Sequence, residues 1–133
     1  MEKNIFISYR ATGEDKNELN KIMKKVYLGL EKKGYNLYCI LWDLELQTKG
    51  KKELFKSTMK KIDNSKILFV FSKSEEKSEG MLMEIGYAMA KGKKIVLLIK
   101  KDVKKTHLRE LIEQTYEFEN LKDLDKVIEG IEI

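Results

Sequence analysis

Glu84 stands in the stretch Ser78-Glu79-Gly80-Met81-Leu82-Met83-Glu84-Ile85-Gly86-Tyr87-Ala88, which follows the apolar run Lys66-Ile67-Leu68-Phe69-Val70-Phe71-Ser72. If the run is a strand and the stretch opens a helix, backbone N–H groups and a positive dipole end point at whatever sits there, and an anion suits them. A carboxylate about one turn into that helix, kept ionised by the helix end, can attack a carbon or stabilise a cation. Its plainer role is that of a first-turn glutamate worth some tenths of a kcal/mol to the helix. A second group follows the first apolar run, where Ser8, Tyr9, Arg10, Thr12 and Gly13 offer hydroxyls, a guanidinium and a glycine. Such a loop suits a phosphate or ribose, although Arg10 is equally an ordinary surface arginine. Trp42 with Asp43 and Glu45 either walls a ligand crevice or packs its own loop down.

Other chemistries find little support. The chain holds one cysteine and one histidine, Cys39 and His107, too few for a zinc site or an internal disulfide. Cys39 lies in an apolar stretch and reads as core. His107 sits among lysines without an evident partner, so histidine-assisted nucleophiles are poorly supported. Neither a metal nor a cofactor is expected.

Positioning these groups requires a sheet. Alternating strand and helix patterns predict strands over 4–8, 35–40, 66–72, 94–99 and, at one edge, 115–118, with helices over 16–33, 53–64, 106–114 and 121–131. Leu19, Ile22, Met23, Val26, Tyr27 and Leu30 give the first helix its apolar stripe, and Gly34 stops it. Ile85, Ala88 and Met89 are expected to pack the helix of Glu84 on the sheet, with Gly86 and Ala88 small enough for close approach. Residues 41–50 read as a long connection. The whole is an α/β three-layer sandwich of flavodoxin or Rossmann type, about five parallel strands in order 2-1-3-4-5. That order opens a crevice between the ends of the first and third strands, where Ser8, Arg10, Ser78, Gly80 and Glu84 converge.

Length and charge set the bounds. The 133 residues form one domain over 1–133, and 37% of them are charged, which fits a heavily charged skin on a compact core. No 18-residue apolar stretch or basic-then-apolar leader occurs, so a cytoplasmic protein without membrane contact is expected. The net charge of +5 is spread through Lys-Lys pairs and is too diffuse for nucleic acid.

Glu84-Ile85-Gly86-Tyr87-Ala88, with Gly92-Lys93 and the segment from Phe6 to Asp15, resembles the nucleoside 2-deoxyribosyltransferase superfamily, in particular its 2′-deoxynucleoside 5′-monophosphate N-glycosidase branch. The resemblance implies that Glu84 is the nucleophile that forms a glycosyl-enzyme ester, later passed to water or to another base. It implies that Ser78 and Gly80, six and four residues before Glu84, hold a 5′-phosphate together with Ser8 and Arg10. It further implies a homodimer that completes each site from the neighbour through segment 106–109, with Arg109 as a second phosphate ligand. The chain departs from the pattern near Thr58, where the family carries an aspartate that protonates the leaving base. Asp63 or Asp43 are the candidates to replace it.

Phe6-Ile7-Ser8-Tyr9-Arg10, Gly50 and the spacing from Ser78 to Glu84 are also similar to a TIR domain, which implies cleavage of NAD at its nicotinamide–ribose bond. A nucleotide-binding module without catalysis is the third option.

Overall fold

The structure is a computed structural model, and it describes residues 2–11 and 13–133; Thr12 lies outside the described residues. Five parallel strands, β1 (Asn4–Tyr9), β2 (Asn36–Cys39), β3 (Ile67–Ser72), β4 (Lys94–Lys100) and β5 (Gln114–Phe118), form one sheet in the order β2-β1-β3-β4-β5. Strand alternation sends Ile5, Ile7, Phe69, Val96 and Leu98 to one face and Phe6, Leu68, Val70, Leu97 and Ile99 to the other. Both faces are covered, which explains why the inner strands read as unbroken apolar runs.

The first face is covered by α1 (Lys16–Glu31) and α6 (Leu124–Glu129). Asp15 caps α1, its carboxylate accepting from the amides of Asn17 and Glu18 at 2.9 and 3.1 Å. Gly34 ends the segment in the left-handed region, φ +91°. A Cβ at Gly29 would stand 2.3 Å from Ile128 Cγ2, so this glycine is what lets α1 and α6 touch.

The second face carries α3 (Lys51–Asp63), α4 (Glu79–Ala90) and the short α5 (Leu108–Leu111). On α4 the inward line is Met81, Ile85 and Ala88. Met89, expected to join it, is exposed, because one more residue turns the side chain about 100° away. Gly86 also faces outward, with nothing within 4 Å of a Cβ built there, so it does not serve close packing.

The expected long connection after β2 is instead partly ordered. A 3-10 turn, Ile40–Trp42, leads into α2 (Leu44–Gln47), because Asp43 caps α2 by accepting from Leu46 N at 3.0 Å. The helix expected over 106–114 shrinks to α5, because the chain turns extended at Ile112 and continues directly into β5.

Candidate active site

Ser8 lies on β1, buried, on the same face of the sheet as Phe6, and its hydroxyl donates to Glu84 Oε1 at 2.6 Å. The bond joins β1 to α4 where the strand order reverses, the usual ligand position in such sheets. Glu84 is the sixth residue of α4, beyond the first turn where a helix dipole acts. The helix end therefore does not keep the acid ionised. Burial dominates and pushes its carboxyl up to about 7, with the Ser8 hydroxyl as the one opposing influence. A base or nucleophile poised near neutrality is the result.

Behind this pair sit Tyr9 and Cys39, buried on the other face of the sheet. Burial raises the Tyr9 hydroxyl far above its ordinary range and the Cys39 thiol to about 11, and the Glu84 charge adds to both. Neither group ionises near neutral pH, so they form a neutral wall.

In the loop after β1, the Arg10 guanidinium is held by Glu76 at 2.7 Å and by Glu14 at 3.5 Å. Gly13 takes φ +80°, a conformation that favours glycine, and a Cβ there would come 2.8 Å from the tip of the Arg10 side chain. Ser78 caps α4, its Oγ accepting from Met81 N at 3.2 Å. Gly80 lies in the first turn of α4, where a Cβ would make only ordinary contact with Phe55, at 3.8 Å. The fold does not demand a glycine there, and its absence of side chain leaves the helix end approachable.

A cavity of about 790 Å³ opens at the outer edge of β2 between Tyr27, Leu28, Tyr38, Cys39, Trp42 and Asp43. Glu84 does not line it. Trp42 does, but its indole donates to Asn20 Oδ1 at 3.1 Å and its ring meets Tyr27 edge-on, so it packs its loop as well as walling the cavity. Tyr38, missed in the sequence, is the residue that links the two regions. The register Phe6↔Tyr38 puts it on the Ser8 face, its hydroxyl donates to Asp43 Oδ2 at 2.7 Å, and burial first, then Asp43 and least the Glu84 charge raise it. Its parity in the second strand was the available signal.

Neither aspartate is placed to take the part of the acid that the resemblance implies near Thr58. Thr58 is buried on α3 and cannot protonate a base. Asp63 ends α3 near the amino end of β3, the opposite edge from the crevice, and accepts from Tyr87 at 2.7 Å. Asp43 is held below the usual carboxylate range by the Tyr38 hydroxyl and the Leu46 amide, so it is ionised and accepts rather than donates. Arg109 is turned inward on its own chain, donating to Val103 O at 2.8 Å, Glu117 at 2.6 Å and Lys100 O at 3.3 Å. His107 is exposed. Among the described residues no three His, Cys, Asp or Glu side chains gather as metal ligands, and no helix is long and apolar enough to cross a membrane.

A doubly wound parallel sheet with a half-buried carboxylate hydrogen-bonded at its switch point defines a class of α/β proteins built to hold a small polar ligand. The sequence pattern of the nucleoside 2-deoxyribosyltransferase family matches residues 11–123, and the chain belongs to that family. It is accordingly an enzyme of the nucleoside deoxyribosyltransferase type, acting on the glycosidic bonds of small nucleosides or nucleotides. The matched span takes in Ser78, Gly80 and Glu84 but begins after Ser8 and Arg10. Among solved structures, a CMP N-glycosidase from Clostridium botulinum, BcmB, superimposes with a TM-score of 0.69 at 22% identity, over 93% of this chain and 96% of the other. No curated protein matches the chain.

Proposed function

We propose that the chain cleaves the N-glycosidic bond of a (deoxy)nucleoside 5′-monophosphate or a related nucleoside, with Glu84 as nucleophile. The observation that carries this is the 2.6 Å bond from the buried Ser8 to a half-buried Glu84 at the strand switch. In the first step a carboxylate oxygen bonds to the anomeric carbon as the C–N bond breaks, and the electron pair leaves with the base. Water, or a second base, then attacks the same carbon and frees Glu84. Both steps pass through an oxocarbenium-like state that a fixed carboxylate stabilises. Arg10, Ser78 and Gly80 would hold the phosphate, which contributes positioning rather than chemistry. Incubation with deoxynucleoside monophosphates, nucleosides and NAD, with chromatography of released base, tests the assignment. A Glu84→Gln variant is expected to lose at least about a thousandfold in rate, several kcal/mol of barrier, and unchanged release would remove Glu84 from the mechanism.

Thr58 favours a second reading. Without an acid beside the leaving group, a base that departs neutral is the easiest substrate, as nicotinamide is when it leaves the pyridinium N-glycoside of NAD. Release of nicotinamide alone in the same panel would select it.

Two chains are expected to pair, with Leu28, Trp42 and Leu44, exposed beside the β2 edge, offering an apolar surface to cover. Sedimentation at twice the 15.6 kDa chain mass would support this, and a monomer at micromolar concentration would contradict it. For Arg109 to reach a neighbour's phosphate it would have to release Glu117.

A further inference from the structure

Glu76 lies in the loop joining β3 to α4, two residues before the Ser78 cap, and its carboxylate sits on Arg10 at 2.7 Å. The two halves of this pair are unequal. The Arg10 side chain is 18% exposed and Glu76 75% exposed, so the guanidinium is built in and the carboxylate is the removable partner.

The space behind the pair, between Arg10, Glu14, Ser72, Ser74 and Met81, measures about 10 Å³, room for one water and far less than a phosphate. The next residue repeats the arrangement: Glu75 accepts from the consecutive amides of Lys104 and Lys105 at 3.4 and 3.1 Å. Two neighbouring carboxylates thus occupy a guanidinium and a pair of backbone N–H groups, both of which are anion-binding features. Lys77 closes the loop on itself, donating to the carbonyls of Ser74 and Glu75 at 3.3 and 2.9 Å.

We propose that Glu76 is an internal stand-in for the anionic group of the substrate: it holds Arg10 until a sugar phosphate displaces it, and so sets how strongly the enzyme favours phosphorylated over unphosphorylated sugars. This rests on Arg10 belonging to the phosphate pocket. The exchange is feasible because a mostly exposed carboxylate regains its hydration when it leaves, while a phosphate offers the guanidinium a bidentate, more highly charged partner. The affinity for phosphate is therefore lower than Arg10 alone would give, and a substrate without phosphate leaves the clasp in place.

The test is calorimetric binding of ribose 5-phosphate and of ribose to the wild type, to Glu76→Gln, to Arg10→Gln and to the double variant, with unfolding curves as a check on folding. Glu76→Gln should bind ribose 5-phosphate about fivefold more tightly, the factor an exposed ion pair commands. The gain should be absent for ribose and should vanish in the Arg10→Gln background. Equal or weaker binding by Glu76→Gln, a gain that survives Arg10→Gln, or a gain shared by ribose would each overturn the proposal. Absence of ribose 5-phosphate binding to any variant would overturn it too, and continued base release from unphosphorylated nucleosides would then leave the glycosidic reading intact.

Discussion

Glu84 is held in a setting that costs the fold something and suits a nucleophile. Its carboxyl rises from the ordinary 4.5 to about 7 because burial outweighs one hydroxyl. A raised carboxyl gives the folded state full stability below about pH 4.5, and that contribution is lost as pH climbs through 7. The gap amounts to about 3 kcal/mol. Glu84→Gln, which keeps an acceptor for Ser8, is expected to be more stable than the parent at pH 8 by up to about that amount and equal to it at pH 4, as denaturant titrations would show. Catalysis runs the other way, since the attacking form is the carboxylate. The pH profile of kcat/KM should rise with a midpoint near 7, and Ser8→Ala should move the midpoint higher, since the Ser8 hydrogen bond lowers it. A profile already flat at pH 5 would contradict this account. Glu84 and Ser8 were both legible in the sequence, from the acid's place after a strand and loop and from the end of the first apolar run. Glu76 was not, because an exposed loop glutamate gains meaning only from Arg10, 66 residues away.

Helix α4 supplies both the acid and the proposed phosphate cradle, and its inner line sets their separation. Met81, Ile85 and Ala88 fasten it to the sheet, while Ser78 caps its amide end. Gly80→Ala meets no steric obstacle and gains helix propensity, so the protein should be as stable or up to about 1 kcal/mol more stable. Binding of ribose 5-phosphate should nevertheless weaken, as calorimetry would reveal, because the new methyl crowds the helix end. If affinity is unchanged, Gly80 does not face the phosphate. On the opposite face, Gly29→Val should destabilise by about 2 kcal/mol or more, because α6 must move away from a Cβ that would overlap Ile128. The helices themselves were readable from 3.6-residue spacing. Met89, Gly86 and Gly29 were misread or overlooked, because the depth of a helix in the sheet groove and the approach of α6 depend on partners distant in the chain.

As a whole the molecule is one sheet with two covered faces, and its order 2-1-3-4-5 followed from the alternation of short apolar runs with amphipathic segments. What that pattern could not supply was the neighbourhood of the leaving base. Asp43 and Asp63 were equal candidates in the sequence; the fold sends Asp63 to the far edge and ties Asp43 to Tyr38 as an ionised acceptor. On the proposal that buried Thr58 stands where the resemblance expects an acid, turnover should depend steeply on the leaving group. A purine nucleotide made cationic by N7-methylation should react at least about a hundredfold faster than its parent, the lower range of what a general acid contributes. Equal rates would reveal an acid elsewhere.

Trapping the glycosyl-enzyme addresses Glu84 most directly. A 2-fluoro-2-deoxy nucleotide slows release of the sugar, so a Glu84 nucleophile predicts a burst of one base per chain and a fluorosugar adduct that peptide mass spectrometry locates on Glu84. Steady base release without any adduct, or an adduct on another residue, would contradict it.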